Sequence, residues 1–218
     1  MPDGIADHPS PNCGPRRDGL TPSLIVIHYT AMQSAKAAIA RLCDPEAEVS
    51  AHYVIARDGA VTRLVPEDQR AWHAGAGEWH GQADINSRSI GIELDNAGDY
   101  PFSEPLMAAL ETLLPDIMGR WDIPPSGVIG HSDMAPGRKS DPGPRFDWAR
   151  LARQGLAVIP TMGNVPEEAT PALFRERARA AGFTSDVADE VLVSAVRLRF
   201  RPWGRGPLCA EDFAVLAS

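Results

Sequence analysis

The sequence predicts an α/β domain followed by a small all-helical segment. Short runs of branched apolar residues, which are typical of buried strands, occur at residues 24–27, 89–95 and 128–130. Stretches with helical periodicity lie between these runs, and residues 103–121 form the longest of them. Beyond residue 160 the strand-like runs stop, and three helical segments follow at about residues 168–181, 186–200 and 209–217. The alternation of strands and helices before residue 160 is the pattern of the α/β class.

Composition limits the class of protein. The chain has 218 residues, of which 44% are apolar and 23% are charged. These shares are close to those of soluble globular proteins, which argues against wholesale disorder and against a fibrous fold. The length allows one full domain with a small appendage. With 21 Lys and Arg against 29 Asp and Glu, the net charge is −8. This balance argues against a nucleic-acid-binding protein, which needs a basic face to displace counterions from phosphates.

The apolar and cysteine patterns bear on location. No stretch of 18 apolar residues occurs, so no transmembrane helix is predicted. The first 20 residues lack a basic segment followed by an apolar run, which is the pattern of a secretory signal. Three widely spaced cysteines, Cys13, Cys43 and Cys209, suggest reduced thiols rather than a disulfide framework. We therefore expect a cytoplasmic protein, and no feature of the sequence indicates an obligate protein partner.

The N-terminal region is expected to contain an arm, a strand and a helix. Residues 1–21 are polar and rich in proline, which predicts an irregular arm on the surface. The strand at residues 24–27 follows this arm. A short helix is predicted at residues 34–42, with Ser34 as its N-cap because a serine hydroxyl can accept a hydrogen bond from the first turn.

A β-hairpin is predicted next along the chain. Residues 51–57 and 60–65 are rich in β-forming residues and flank the dipeptide Asp58-Gly59. This dipeptide favours a type I′ turn, in which both central residues have positive φ. Residues 66–88 are rich in Trp, His and Gly and are predicted to be mostly loop.

The longest predicted helix spans residues 103–121. Ser103 is its expected N-cap, and its apolar stripe consists of Leu106, Leu110, Leu113, Leu114 and Ile117. The buried strand at residues 128–130 follows. A polar loop at residues 131–145 and a short helix at residues 146–153 complete this part of the chain.

A domain boundary is predicted where the composition changes, near Pro160. Residues 161–171 resemble a linker. We therefore predict a main domain at residues 1–160, which includes the arm, and a helical module at residues 161–218. About 50 residues are marginal for an independent core, so the module is expected to pack on the main domain.

Two predicted strands end on a histidine. His28 follows the strand at residues 24–27, and His131 follows the strand at residues 128–130. Ligands of open α/β sheets gather at the carboxyl ends of strands, so these two side chains could share a metal ion. Asp141 lies ten residues after His131 and precedes a proline, which biases it toward an extended conformation. Two imidazoles and one carboxylate suit Zn²⁺ and leave one position open.

Two further residues supply the chemistry that hydrolysis needs. Glu93 lies in the strand at residues 89–95 and faces the side opposite Ile90 and Ile92. A carboxylate on an apolar strand is costly unless it is paired or used, so Glu93 is the candidate general base. Lys139 would point to the same side of an extended chain as Asp141. Lys139 is therefore the candidate that stabilises an oxyanion.

These residues also allow structural interpretations. His28 and His131 could each be a hydrogen-bonded core histidine, and Asp141 could be only a turn residue. Glu93 could be an interior ion-pair partner, for which Lys139 would be a natural mate. The two histidines lie 103 residues apart, so they form no compact zinc motif and spacing alone does not decide.

Six sequence blocks carry a resemblance to a known family. In order, they are HYT at 28–30, SAHY at 50–53, AWHAG at 71–75, SIGIEL at 89–94, GHSD at 130–133 and APGRKSDPGP at 135–144. Together they resemble the zinc-dependent N-acetylmuramoyl-L-alanine amidases of the AmpD/AmiD type, which share their fold with peptidoglycan recognition proteins. The resemblance covers about residues 10–160 and is specific, because the blocks agree in order and in spacing.

The resemblance implies a fold, a metal and a reaction. It implies a central mixed β-sheet flanked by helices, and one zinc ion per chain held by His28, His131 and Asp141. Glu93 and Lys139 would be catalytic. The reaction would be cleavage of the amide between N-acetylmuramic acid, or its 1,6-anhydro form, and L-alanine of the stem peptide in a muropeptide or in peptidoglycan. The C-terminal module is similar to the small peptidoglycan-binding-like module of AmiD-type enzymes.

The alternative function is a recognition module that binds peptidoglycan without cleaving it. Family members that only bind usually lack part of the zinc set, and this sequence contains the whole set, which favours the enzyme.

Six residues are candidates for substrate binding. The resemblance includes Tyr29 in its first block. His73 and Trp72 are expected to line the groove, although packing under the loop would explain Trp72 equally well. His52 could be a fourth ligand, but we expect a structural role or a place in the wall of the cleft. Asn86 and Arg88 could hold stem-peptide carboxylates or belong to a solvated loop.

Overall fold

A six-stranded sheet forms the centre of the protein. The computed structural model describes residues 4–159 and 165–216. Its strands are β1 (Ile5–Asp7), β2 (Cys13–Pro15), β3 (Leu24–Tyr29), β4 (Tyr53–Ile55), β5 (Val61–Arg63), β6 (Gln69–Ala71), β7 (Ser89–Leu94) and β8 (Val128–Gly130). The strand order in the sheet is β1-β5-β4-β7-β3-β8, and β2 pairs with β6 in a separate ribbon. Strands β4, β7, β3 and β8 run parallel, whereas β5 is antiparallel to β4. The predicted central mixed sheet flanked by helices is confirmed.

Eight α-helices accompany the sheet in the described residues. They are α1 (Ala35–Leu42), α2 (Ile85–Arg88), α3 (Glu104–Trp121), α4 (His131–Met134), α5 (Trp148–Arg153), α6 (Pro171–Ala180), α7 (Asp189–Phe200) and α8 (Ala210–Ala214). None of the helices in residues 4–159 and 165–216 has the length and apolarity needed to cross a bilayer.

The sheet is covered on both faces, because alternate residues of β3 point to opposite sides. Ile25 and Ile27 belong to a core formed with α3. Every residue of the predicted apolar stripe of α3 is buried in that core, as the helical periodicity indicated. Leu24 and Val26 point the other way, into a second core that includes residues of the C-terminal helices. The sheet is therefore the middle layer of three.

The helical module supplies one of the outer layers. Its side chains share a single apolar cluster with the sheet, and the members of this cluster include Val26, Ile129, Met134, Phe174, Phe183 and Leu192. The ring of Trp79 lies 5.0 Å from that of Phe183, centre to centre. The module thus packs on the main domain. The predicted boundary itself, at residues 160–161, falls outside the described residues, and the division into two domains stays a prediction.

The N-terminal arm differs from its prediction as an irregular segment. It contributes β1, parallel to β5, and β2, antiparallel to β6. Polar side chains hold it in place: the buried Ser10 hydroxyl donates to the carbonyl of Leu42 at 2.6 Å, and the Asn12 amide donates to the carbonyls of Asp44 and Val49. Hydrophobic periodicity does not reveal such contacts, so the two strands of the arm could not be predicted from it.

Turns and caps are partly as predicted. Ser34 caps α1 by accepting a hydrogen bond from the amide of Ala37. The β4–β5 hairpin forms, but the type I′ prediction is wrong, because Gly59 has a positive φ of 88° and Asp58 does not. Ser103 precedes α3 yet its hydroxyl donates to the carbonyl of Arg57, so it does not cap the helix with its side chain. Tertiary hydrogen bonding replaced the local cap.

Two predicted loops contain further elements. Residues 66–88 include β6 and α2, and the polar loop 131–145 begins with α4. The short helix predicted at residues 146–153 begins at Trp148, with Asp147 as its N-cap. The elements that were not predicted, β6, α2 and α4, are only three or four residues long, which is too short for periodicity to show.

The shared core predicts a single unfolding transition for the whole chain. Leu192 of α7 is fully enclosed between the module and the sheet. We expect Leu192→Ala to lower the free energy of unfolding by about 2–5 kcal/mol, because it opens a cavity in both units at once. Denaturant unfolding followed by circular dichroism and by tryptophan fluorescence should give coincident curves. Ser194→Ala, an exposed change on the same helix, is the control. Two separate transitions, of which Leu192→Ala shifts only one, would contradict the shared core.

Candidate active site and metal centre

Three parallel strands end at the same edge of the sheet. The register of β3 and β7 places His28 beside Glu93, and the register of β3 and β8 places Ile27 beside Gly130. His131 follows Gly130 as the first residue of α4. The sheet therefore brings His28, Glu93 and His131 together, although they are far apart in sequence.

Asp141 completes a compact group of three metal-binding side chains. The Nδ1 atoms of His28 and His131 lie 2.9 Å apart, and Asp141 Oδ2 lies 2.9 Å from the first and 3.0 Å from the second. All three residues are buried. Ligand atoms bonded to one tetrahedral zinc ion lie about 3.3 Å apart, given zinc–nitrogen bonds of about 2.0 Å. The donor set and its spacing therefore fit a zinc ion bound by His28, His131 and Asp141.

Hydrogen bonds at the far side of each imidazole select the tautomer. His131 Nε2 lies 2.9 Å from the carbonyl oxygen of Ala74, which can only accept, so Nε2 carries the proton and Nδ1 presents its lone pair. His28 Nε2 lies 3.0 Å from Nδ1 of His73, and Nε2 of His73 lies 3.2 Å from Oγ of Ser89. A chain of donors running from His28 through His73 to Ser89 leaves Nδ1 of His28 free for a metal.

Gly91 provides the space that His73 needs. The imidazole of His73 lies against this glycine, and a Cβ at position 91 would overlap the ring. The glycine in the SIGIEL block thus has a steric reason, because any side chain there would displace the histidine that supports His28.

Electrostatics keep His28 and Asp141 in the forms that bind a metal. Burial, followed by the neighbouring His131, lowers the pKa of His28 to about 4, so its imidazole is neutral at pH 7. Burial alone would raise the pKa of Asp141, but the contacts of its carboxylate with the imidazoles of His131 and His28 outweigh this effect and hold the pKa below its usual range. A neutral imidazole and an ionised carboxylate are the protonation states that zinc requires.

Glu93 lies in the same cleft without a partner. Its Oε2 is buried and has no hydrogen bond within the described part of the chain. Burial and the charge of Asp141 raise its pKa well above the ordinary range, and Lys139 opposes this effect. No ion pair joins Glu93 to Lys139 among residues 4–159 and 165–216, which contradicts the interpretation of Glu93 as a structural ion-pair partner.

A cleft of about 390 Å³ contains these groups. Its lining includes the predicted metal ligands and the predicted catalytic pair, together with Tyr29, Trp72 and His73. The hydroxyl of Tyr29 lies 3.0 Å from Oγ of Ser140, next to Lys139. Eight of the residues singled out from the sequence thus border one cavity.

Three of the predicted substrate-binding residues lie outside the cleft lining. His52 is fully buried, and its Nδ1 accepts a hydrogen bond from the amide of Gly91. The amide oxygen of Asn86 accepts from the backbone of His73 and Ala74, and Arg88 donates to the carbonyl of Ala83. None of these contacts supports direct substrate binding, and only the bonds of Asn86 hold the backbone of a residue that lines the cleft, His73. His52 is also absent from the group of metal-binding side chains found in the described residues.

Two arginines of the cleft had no predicted role. Arg41 comes from α1, and Arg138 comes from the APGRKSDPGP block. Arg138 donates to the carbonyls of Ala74 and Ala76, which fixes the loop beside His131. The block itself was a signal for Arg138, whereas the periodicity of α1 gave none for Arg41.

Comparison with known proteins gives the family. The model of a family described as N-acetylmuramoyl-L-alanine amidase matches residues 18–144. The N-acetylmuramoyl-L-alanine amidase AmiD of Escherichia coli is 40% identical over an alignment of 153 residues, and the match covers 63% of this chain and 54% of that protein. The 1,6-anhydro-N-acetylmuramyl-L-alanine amidase AmpD of Enterobacter cloacae is 35% identical over an alignment of 160 residues, and the match covers 66% of this chain and 86% of that protein. The matched segment therefore spans about half of AmiD and most of AmpD.

A solved structure extends the similarity through the helical module. Escherichia coli AmiD, in complex with the substrate anhydro-N-acetylmuramic acid-L-Ala-D-γ-Glu-L-Lys, superposes with a TM-score of 0.80 at 33% identity. The superposition covers 91% of this chain and 89% of AmiD. The resemblance predicted from the six sequence blocks is confirmed: this chain belongs to the N-acetylmuramoyl-L-alanine amidase family.

Proposed function

We propose that this protein is a zinc-dependent amidase that cleaves the bond between N-acetylmuramic acid, including its 1,6-anhydro form, and L-alanine of a muropeptide. One observation carries this proposal: the ligand atoms of His28, His131 and Asp141 converge in the cleft that also holds an unpaired Glu93 and Lys139. The substrate class rests on the AmpD and AmiD relatives, whose names describe this activity. A cytoplasmic location stays a prediction from the sequence.

His28, His131 and Asp141 would hold the ion. When bound there, zinc supplies a Lewis acid for the substrate carbonyl and makes a nearby water more acidic. The two neutral imidazoles and the single carboxylate leave a net charge of +1 on the site, which is suited to an anionic transition state.

Glu93 moves the proton. Amide hydrolysis adds the oxygen of water to the lactyl carbonyl carbon, breaks the carbon–nitrogen bond and leaves a proton on the nitrogen of L-alanine. The carboxylate of Glu93 takes this proton from the attacking water and gives it to the leaving nitrogen. Its lack of a partner and its raised pKa both favour this role, since a carboxylate committed to an ion pair would be a weaker base.

Lys139 stabilises the negative charge that develops on the carbonyl oxygen. Lys139 lines the cleft together with Asp141. A fixed cation in a partly enclosed site acts where charge appears in the transition state. Together with Arg41 and Arg138, it also gives the cleft local positive charge for a substrate that carries carboxylates, although the chain as a whole has a net charge of −8.

Mass spectrometry of a muropeptide digest tests the proposed function. The zinc-loaded protein should release free stem peptide from anhydro-N-acetylmuramyl peptide. A chelator should abolish the release, and added zinc should restore it. Intact sacculi in a parallel reaction would show whether polymeric peptidoglycan is also a substrate. A muropeptide that binds but stays uncleaved, with zinc present, would show a recognition module instead of an enzyme.

Glu93→Gln should lower kcat by about 10²–10⁴-fold, because an amide of the same shape cannot accept the proton. Zinc content, measured by atomic absorption, should stay at the level of the wild type. Glu176→Gln, an exposed change on α6, is the matched control. Full turnover by Glu93→Gln with zinc bound would exclude the proton-transfer role.

Lys139→Ala should lower kcat by about 10²–10³-fold, which is the typical cost of removing one group that stabilises an oxyanion. Lys139→Arg should recover part of this loss, since it restores the charge but not the compact ammonium. The chain offers a clean control, because its one other lysine is the exposed Lys36. Steady-state kinetics at saturating zinc would decide, and equal kcat for Lys139→Ala and Lys36→Ala would contradict the assignment.

A further inference from the structure

Arg199 of the helical module reaches into the main domain beneath the metal centre. It lies on α7 and is only 6% exposed. One of its terminal nitrogens lies 3.2 Å from Oδ2 of Asp133. The other donates to the carbonyls of Val128 and Val158, and the guanidinium stacks 3.5 Å from the centre of the Trp148 ring. A single side chain of the module therefore contacts four segments of the main domain.

Asp133 links Arg199 to the backbone next to His131, a predicted metal ligand. The same Oδ2 atom accepts a hydrogen bond of 2.7 Å from the backbone amide of Gly130. Gly130 is the residue where β8 ends and α4 begins, and His131 comes directly after it. The carboxylate thus fixes the backbone at the turn that aims the imidazole of His131.

Asp141, the predicted metal ligand that follows His131 in the chain, is hydrogen-bonded to the same turn. The amide of Ser132 donates to the carbonyl of Asp141 at 2.9 Å. A Cβ at Gly130 would lie 2.8 Å from Cδ of Pro142 and 3.3 Å from the ring of Trp148, so both groups pack directly on this glycine. Any displacement of the turn would move His131 and Asp141 relative to His28.

We propose that Arg199 is a positioning residue for the amidase reaction, which holds the Gly130–His131 turn through Asp133 and stacks on Trp148. The helical module then completes the metal centre, in addition to any contact that it makes with substrate. This inference rests on the proposed zinc-dependent function.

The incomplete hydrogen bonding of the Arg199–Asp133 ion pair favours a role in positioning His131 over a role in stabilising the fold alone. Arg199 Nε and Asp133 Oδ1 are buried and have no hydrogen-bond partner in the described residues. In a buried ion pair with unsatisfied atoms, the attraction between the charges offsets little of the free energy that is lost when both charges are removed from water. An apolar pair would serve a mere packing role equally well. The planar guanidinium can stack and donate at its edge in the same geometry, which a lysine at this position cannot do.

Zinc affinity of the apoprotein tests the proposal without any substrate. Arg199→Met keeps much of the side-chain length but removes every donor. We expect its zinc dissociation constant, measured by competition with a chromogenic chelator, to rise by about 10–100-fold, as is typical for residues that orient metal ligands. Arg199→Lys should fall between Arg199→Met and the wild type. Arg175→Met is the matched control, because Arg175 pairs with Asp189 inside the module.

Two further readouts separate positioning from loss of stability. Thermal melts followed by circular dichroism identify a temperature at which every variant is folded. At that temperature and at saturating zinc, Arg199→Met should lower kcat with little change in KM, and the visible spectrum of its cobalt form should differ from that of the wild type. The control should keep both at wild-type values even where its melting temperature falls.

Specific results would overturn the proposal. A folded Arg199→Met with wild-type zinc affinity and an unchanged cobalt spectrum would show that Arg199 only fastens the module. If that variant does not fold, Arg199→Lys decides in the same way. A wild-type protein that binds zinc but cleaves no muropeptide would refute the proposed function and leave the effect of Arg199 on zinc affinity standing.

Discussion

The alignment of β3, β7 and β8 is the constraint on which the rest of the site depends. These strands run parallel in register, so that their carboxyl ends coincide at one edge of the sheet. His28, Glu93 and His131 meet there because each comes at or just beyond a strand end. A shift of one residue in β3 would turn His28 to the opposite face of the sheet and exchange it for an apolar neighbour. The two apolar layers that clamp the sheet therefore also fix the geometry of the chemistry.

Burial gives the site its protonation states. The same exclusion of water that keeps His28 neutral raises the pKa of Glu93, while the contacts of the Asp141 carboxylate with two imidazoles hold the pKa of Asp141 below its usual range. The carboxylates of Asp141 and Glu93 thus differ in their affinity for protons. This difference suits Asp141 to bind the metal and Glu93 to act as the base. The net charge of −8 has little part in this, because local cations decide the field inside the cleft.

The sequence allowed the fold and the central residues to be predicted where the signal was local or periodic. The strands around Ile25, Ile90 and Ile129 and the stripe of α3 follow directly from hydrophobic spacing. The arm was missed because side-chain hydrogen bonds of Ser10 and Asn12 hold it. Asn86 and Arg88 looked like free polar residues of a loop, but their partners are backbone groups brought near only by the fold. The contact between Arg199 and Asp133 could not be predicted from any sequence pattern, because the two residues lie 66 positions apart.

Two strand-end histidines and Asp141 are expected to form one zinc site. The most direct test is anomalous diffraction from crystals of the zinc-loaded protein, recorded on both sides of the zinc absorption edge. We expect one strong anomalous peak per chain, within bonding distance of Nδ1 of His28, Nδ1 of His131 and a carboxylate oxygen of Asp141. No peak in the cleft, or a peak bonded to Glu93 in place of any of these three, would contradict it.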